Sequence, residues 1–532
     1  MSDPSSTQDT SHRVNVAELP DSIGGDRLPV MTPPRGNMPA ELDDDVAEGT
    51  YVPPRPCGYT GRIAPFARNR DTSGRRPRVV IVGGGFGGLE AAKRLRKADV
   101  DVVLVDRRNF HLFQPLLYQV ATGELSPANI AAPIRAVLRK CRNATVLMGE
   151  VTDIDVAGKR LIMTDDDIEY DYLILAAGAT HHYFGNDDWA PLAPGLKTIE
   201  NATEIRRQVL GAFEAAERCD NVDEIRELLT FVVVGAGPTG CEMAGALSEI
   251  ARHTLRCDFR CIDPALSHII LVNSDDHPLE VYAEPLPQRA AADLKRLGVQ
   301  LINDTKVTDI QPTHVELTSN SDGSKSTLAT RTVIWAAGVR ASGLATKLSD
   351  ATGIELARGG RVPVAADTSV AQHPNIFVVG DMAMFDHDKH GDLPGLAPVA
   401  MQMGKHAAKC IAADLKQRSR TSFKYRDKGS MAVIGRFSAV GEIGRFKVKG
   451  FIAWALWLGV HLMFIAMFRN RVLVLMQWGW TFLTRDRSSR LISDGPRATI
   501  STMETAAGWD EDPALPTVRP DYRTEPQPTA VP

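Results

Sequence analysis

The run from Arg78 to Asp106 constrains this chain more than any other stretch, because it holds a whole nucleotide-binding unit in one piece. Val79 to Val82 is a short apolar run that predicts a buried strand. Gly83-Gly84-Gly85-Phe86-Gly87-Gly88 follows, then Leu89 to Lys97 with apolar residues at helical spacing, then Val102 to Val105 ending in Asp106. Gly83 permits the tight turn, Gly85 lets backbone approach a pyrophosphate, Gly88 lets helix and strand pack closely, and the helix N-terminus offers unpaired N–H groups to phosphate. Asp106 stands about 20 residues on, where a carboxylate accepts hydrogen bonds from ribose hydroxyls. Glycine clusters also occur in ordinary turns, so the flanking strand, helix and acid are what give this one its meaning.

A second unit follows the same plan. Phe231 to Val234 reads as a strand, Gly235-Ala236-Gly237-Pro238-Thr239-Gly240 as the loop, and Cys241 to Arg252 as the helix, with Gly235, Gly237 and Gly240 repeating the three roles. Two units imply two dinucleotides and an α/β fold class with two Rossmann-like dinucleotide-binding domains. After the next strand, Ile269 to Val272, Asn273 stands where the second ribose acid is expected, with Asp275 and Asp276 close behind. A 2′-phosphate needs a cation there and these acids would repel one, so the spacing favours NADH over NADPH.

Further strands are predicted at Leu147 to Ile154, Arg160 to Thr164 and Tyr172 to Leu175, the last leaving through Ala176-Ala177-Gly178. Thr332 to Trp335 leaves through Ala336-Ala337-Gly338 in the same way, and such small-residue exits let backbone approach a ligand. The strand starting at Asn375 ends in Gly380-Asp381, a carboxylate placed either to bind a flavin's ribityl chain or simply to cap a helix. The helix predicted from Leu396 to Ala413 would turn a positive N-terminus toward ring oxygens that gain charge on reduction. Asn109 to Gly123 is neither a clean helix nor a clean strand, and fits a cofactor-pocket lining or a packed loop equally well.

With 532 residues the chain can build two or three domains, and a net charge of −4 gives no sign of a nucleic-acid partner. Its seven cysteines are scattered without a CxxC pair, so neither a disulfide framework nor a metal site is read, and Cys257 and Cys261 lack further ligands nearby. Residues 1–77 show little periodicity and read as a largely disordered extension without a secretory signal. Phe451 to Phe468 is an apolar run broken by His461 and flanked by Lys447, Lys449, Arg469 and Arg471; a second, Val472 to Leu483, ends at Arg485 and Arg487. Basic flanks and tryptophans at 454, 457, 478 and 480 point to a monotopic anchor at a lipid surface, with a buried core, a homodimer interface or a true span as alternatives. His461 reads as a helix-face or interface residue.

The words HLFQPLLYQVATG, YDYLILAAGAT, VGAGPTGCEMAGALSEIAR, VIWAAGVRAS, VVGDMA, LAPVAMQMGKHAA and YRDKGSMAVIGRFSAVGEIG resemble the flavoprotein disulfide reductase architecture and, within it, the type II NADH:quinone oxidoreductases. The resemblance covers about Arg78 to Ile492. It implies non-covalent FAD in a domain of two parts (78–228 and 339–422), NADH as substrate in 229–338, and a membrane-anchoring region at 423–492, with 493–532 left as a tail. It further implies Glu242 near nicotinamide and flavin, and Gln402 as the second glutamine of an AQxxxQ quinone-site pattern whose first glutamine is here Pro398. A hydride would pass from NADH to flavin and two electrons to a membrane quinone, without ion pumping, on the cytoplasmic face of the cell membrane. No cysteine pair follows the first glycine loop to act as a thiol relay. Another two-dinucleotide reductase, of sulfide:quinone or ferredoxin type, and a membrane-anchored flavin or NAD redox sensor are the alternatives.

Overall fold

The computed structural model describes residues 75–164, 166–387 and 391–492, so the readings of 1–77 and 493–532 lie almost wholly outside the described residues. The first nucleotide unit forms the middle of a six-stranded sheet in the order Ser369–Val370, His373–Val378, Tyr172–Leu175, Arg78–Val82, Asp101–Asp106, Ala144–Met148. Every neighbouring pair runs parallel except the Ser369–Val370 edge. The central strands are apolar throughout because a parallel sheet is covered on both faces, and Val79, Val80, Ile81, Leu104 and Val105 are fully buried. His373–Val378 reaches this sheet only after the chain has built the second nucleotide unit. On one face, helix Phe86–Leu95 crosses helix Ala397–Asp414 so closely that a Cβ on Gly404 would lie 2.1 Å from the Gly87 carbonyl oxygen.

The second unit builds a four-stranded parallel sheet in the order Val299–Ile302, His268–Val272, Thr230–Val234, Thr332–Trp335. Its helix spans Pro238–Glu249, starting earlier than the apolar spacing predicts because Pro238 sits comfortably in a first turn. The last predicted turn is instead a wider π turn, Ile250–Thr254.

The expected strand Leu147 to Ile154 is two strands. Ala144–Met148 closes the main sheet, and Val151–Asp155 opens a separate three-stranded antiparallel sheet with Arg160–Met163 and Asp167–Glu169. The chain turns away after Gly149, whose N–H gives the last bond of the parallel ladder to the Asp106 carbonyl.

A three-stranded antiparallel sheet, Ser430–Gly435, Ser438–Ile443 and Phe446–Lys449, leads into helices Gly450–Phe464 and Phe468–Thr484. The apolar run Phe451 to Phe468 is therefore not one helix. It breaks at Ile465, whose carbonyl is taken by the Arg471 guanidinium at 2.8 Å. Beside the break, Asn470 is 1% exposed and donates its amide to the carbonyls of Ala128 and Ala131, pinning the turn to the first domain. Among the described residues no helix is long and apolar enough to cross a membrane.

Candidate functional site

Each glycine of the first loop has its own reason. Gly83 sits at φ +103, and a Cβ there would lie 2.4 Å from the Ala176 carbonyl; at Gly88 it would lie 1.9 Å from the Gly83 carbonyl. Gly85, by contrast, has nothing within 4 Å: its face is open. Asp106 accepts the Gly84 N–H at 2.6 Å on one carboxyl oxygen and the Arg108 N–H at 2.7 Å on the other. A carboxylate has about four lone-pair sites, so both oxygens can still accept from a ribose. His111, which the sequence did not single out, lies 3.0 Å through Nδ1 from the Gly84 carbonyl. A carbonyl only accepts, so Nδ1 carries the hydrogen, and burial pushes the ring down to about 4 and keeps it neutral.

The second loop repeats this logic. Gly235 is at φ +97 against Ala337, a Cβ on Gly240 would lie 1.8 Å from the Gly235 carbonyl, and Gly237 again faces open space. Asn273 is 4% exposed, and its amide donates to the carbonyls of Asp275 and His277 at 2.9 and 3.0 Å. The residue in the ribose-acid position thus braces the next loop, and Asp275 and Asp276 stand exposed beside it.

The two exits meet. Ala179–His181, just past Gly178, pairs antiparallel with Val339–Ala341, just past Gly338, placing Ala179 beside Ala341 and His181 beside Val339. This stitches together the carboxyl ends of the two parallel sheets, the end at which open α/β sheets bind ligands. Gly178 also has nothing within 4 Å. Three unfilled glycine faces at sheet ends, with acids beside them, fit two dinucleotides.

Gly380, at φ +72, and Asp381 lie in a short 3-10 turn, whereas the N-cap of helix Ala397–Asp414 is Leu396. Asp381 is therefore not the helix cap. It lines a cavity of about 300 Å³ together with Lys197, Arg340, Gly395 and Val399, a place where a carboxylate can accept from ligand hydroxyls.

Glu242 and Gln402 do not line the same cavity. Gln402 holds the backbone of Arg426 with both ends of its amide, each at 3.0 Å, and Pro398 occupies the first turn of its helix. Glu242 lines a larger cavity of about 530 Å³ beneath helix Pro238–Glu249, walled by Val433, Trp454, Trp457 and Trp478. The cavity leaves Glu242 some solvent access, yet burial pushes its carboxyl up to about 8 against a 3.4 Å hydrogen bond from the Val433 N–H. Tyr118, Gln119, Glu124 and Arg487 line the same cavity; Tyr118 and Gln119 fall in the stretch from Asn109 to Gly123 read as pocket lining or packed loop, whereas Arg487 was read only as a basic flank and Glu124 was not singled out. A single acid in an apolar stretch, Glu124 in ATGELS, was the one available signal. His461 stacks on Trp457, its Nδ1 is 2.7 Å from the Trp457 carbonyl, and burial lowers it to about 4. Cys241, next to Glu242, is buried with Sγ 3.4 Å from the Ala236 carbonyl, and burial drives its thiol pKa far up.

Residues 77–404 match the family model described as pyridine nucleotide-disulphide oxidoreductase, and residues 428–486 match the NDH2 C-terminal domain. The type II NADH:quinone oxidoreductase Ndh of Mycobacterium tuberculosis is 47% identical over 440 residues, covering 81% of this chain and 94% of that protein. NdhA of the same organism, also called a type II NADH:quinone oxidoreductase, is 42% identical over 447 residues, 82% of this chain and 94% of its own length. A solved structure of NDH2 from Plasmodium falciparum in complex with NADH superposes with a TM-score of 0.72 at 20% identity, covering 79% of this chain and all of that one. The sulfide:quinone oxidoreductase of Aquifex aeolicus shares the fold at a TM-score of 0.60 and 18% identity, covering 74% of this chain and 92% of that one.

Proposed function

The chain belongs to the type II NADH:quinone oxidoreductases, and from that membership we propose how its residues divide the work. It is an oxidoreductase with NADH dehydrogenase function. The first cradle takes FAD without a covalent bond: Gly83, Gly85 and Gly88 receive the pyrophosphate, Asp106 the ribose, Gly178 the approach of the ring, and Gly380-Asp381 the ribityl chain. The second cradle, Gly235, Gly237 and Gly240, takes NADH. Bound there, a flavin supplies a two-electron carrier able to take a hydride from NADH and to reduce a quinone.

The chain's own part is alignment and proton handling. Helix Ala397–Asp414, whose first-turn Val399 lines the same cavity as Asp381, would offer its positive end to a flavin ring held there. Glu242, neutral at pH 7 through burial, can hold a proton beside the nicotinamide. Gln402 reaches the quinone side indirectly, by fixing the backbone of Arg426. Phe451, Ile452, Met463, Phe468, Met476 and Leu483 expose apolar side chains on the two C-terminal helices, with Lys447, Lys449 and Arg469 at their ends. That surface supports a monotopic seat on the cytoplasmic face of the cell membrane, from which a lipid-soluble quinone is reached. Ion pumping is not part of the reading, since it requires charged groups inside membrane-crossing helices.

The observation that carries the reading is the antiparallel pairing of the two exit strands, which brings both nucleotide-binding sheet ends to one place. The visible spectrum of the purified protein under anaerobic conditions tests it. We expect a yellow chromophore that NADH bleaches and an added soluble quinone restores. A colourless protein, or a colour that NADH leaves unchanged, overturns the reading.

A further inference from the structure

Hydride transfer requires two rings held in contact, so the chain that joins the two cradles must border the place where they meet. Three consecutive residues mark that joint. Ala337 backs the second glycine loop, 2.8 Å from where a Cβ on Gly235 would stand. Val339 lines the same cavity of about 300 Å³ as Asp381. Gly338 lies between them at φ +69, and what covers it is the ring of Phe184: a Cβ on Gly338 would lie 2.8 Å from Cζ and 2.9 Å from Cε2 of that ring. Phe184 itself follows the other exit strand, Ala179–His181, by three residues. It therefore stands against both halves of the joint.

The backbone under Phe184 is an unusual one. The Asn186 N–H donates to the Tyr183 carbonyl at 3.1 Å and closes a four-residue turn whose central pair, Phe184 and Gly185, have φ +55 and +99. Positive φ at both central positions is the pattern of a type I′ turn, where asparagine, aspartate and glycine are preferred because a side chain crowds its own backbone there. Gly185 obeys that preference. Phe184 does not, and a bulky residue at positive φ persists only where its surroundings hold it. Here they do: the His182 N–H donates to the Gly338 carbonyl at 3.4 Å, the His182 carbonyl accepts the Trp335 indole N–H at 3.1 Å, and the Tyr183 hydroxyl donates to the Ala193 carbonyl at 2.9 Å. Burial does not account for the choice of residue, since Phe184 is 63% exposed. Its ring neighbours are His182, at 4.7 Å between centroids, and Trp335, at 6.3 Å. The arrangement holds one edge of a flat apolar ring on Gly338 and leaves most of the ring open beside the joint.

We propose that Phe184 is a substrate-binding residue, its ring packing against the nicotinamide end of NADH where the second cradle meets the cavity lined by Asp381. The strained turn exists to present that ring. Nicotinamide is itself a flat aromatic, and two such rings in offset or edge-on contact attract beyond the area they bury. A residue chosen for the turn alone would be asparagine or glycine.

The proposal rests on the NADH dehydrogenase reading, and its test separates the two. Phe184→Asn installs a residue that the turn prefers and removes the ring. In the purified full-length protein its Tm should hold or rise, because the left-handed backbone is no longer strained. The KM for NADH and the calorimetric Kd for NAD⁺ should rise together, roughly 2- to 10-fold, as expected for one lost aromatic pair. Phe184→Tyr keeps both ring and strain and should keep the parent's KM and Kd. Phe184→Gly, which a left-handed backbone also accepts, gives the same readings where Phe184→Asn fails to fold. A Phe184→Asn protein that binds NAD⁺ like its parent overturns the proposal. So does a Kd that rises only with a fall in Tm, which would make the ring a structural prop, or an equal weakening in Phe184→Tyr. An unaltered protein that binds NAD⁺ but is not bleached by NADH overturns the dehydrogenase reading instead, and the NAD⁺ titrations still decide the place of Phe184.

Discussion

Replacing Gly237 and Gly240 separately by alanine distinguishes what the second cradle holds from what holds the cradle. Gly237 has φ −69 and ψ −177, angles open to any residue, and nothing lies within 4 Å of where its Cβ would stand. As an N-cap position, Gly237→Ala should cost the fold no more than about 1 kcal/mol. The new methyl points into the space assigned to the NADH pyrophosphate, and forced contact of that kind costs about 1–3 kcal/mol, roughly a 5- to 150-fold rise in KM. At Gly240 the methyl would lie 1.8 Å from the Gly235 carbonyl oxygen and 3.0 Å from its carbon, both backbone. Helix Pro238–Glu249 would have to lift off its strand by about 1 Å in an interior packed too tightly to allow it. That should cost about 3 kcal/mol and lower Tm by roughly 5–10 °C. Steady-state NADH kinetics and thermal unfolding of the two proteins read both effects. A Gly237→Ala protein with unchanged KM, or a Gly240→Ala protein that melts with the parent, refutes the argument.

Two further outcomes follow from the site and the surface. Phe468 and Leu483 are 78% and 82% exposed, so Phe468→Glu with Leu483→Glu should cut co-sedimentation with lipid vesicles while leaving Tm in place, because exposed substitutions move stability by only about 0.5 kcal/mol; vesicle binding that survives both counts against the lipid seat. Glu242, raised from 4.5 to about 8, binds its proton more tightly when folded than unfolded, so stability should fall as pH rises through that interval. Glu242→Gln removes this fall, and its Tm advantage over the parent should grow from acid pH to about pH 8; a pH-independent difference contradicts the burial argument.

The glycines were legible because each requirement is local. Gly88 and Gly240 are demanded by contacts inside one strand-turn-helix, where a Cβ would lie 1.9 and 1.8 Å from the first glycine's carbonyl oxygen, and Gly83 and Gly235 by the positive φ of the turn itself. Asp381 was open between cap and ligand group, and the position of Leu396 as the helix N-cap removes the cap reading. The meeting of Glu124, Tyr118 and Arg487 at one cavity was illegible for a different reason. They are isolated polar residues in unpatterned segments, and the hydrogen bonds from Arg487 to Thr122 and from Trp478 to Gln119 span more than three hundred positions of chain. No periodicity reports such a meeting.

The sequence by itself determined the two nucleotide units, their glycine chemistry and the apolar C-terminal run, since periods of two and 3.6 residues and the steric demands of turns act over a few neighbours. Tertiary structure alone decided that the apolar run breaks at Ile465, where Asn470 reaches Ala128 and Ala131. It also decided that Asn273 turns inward to brace a loop and that scattered acids line one cavity. Buried polar groups must find partners wherever the folded chain offers them, and those partners are fixed only once the distant segments have packed together.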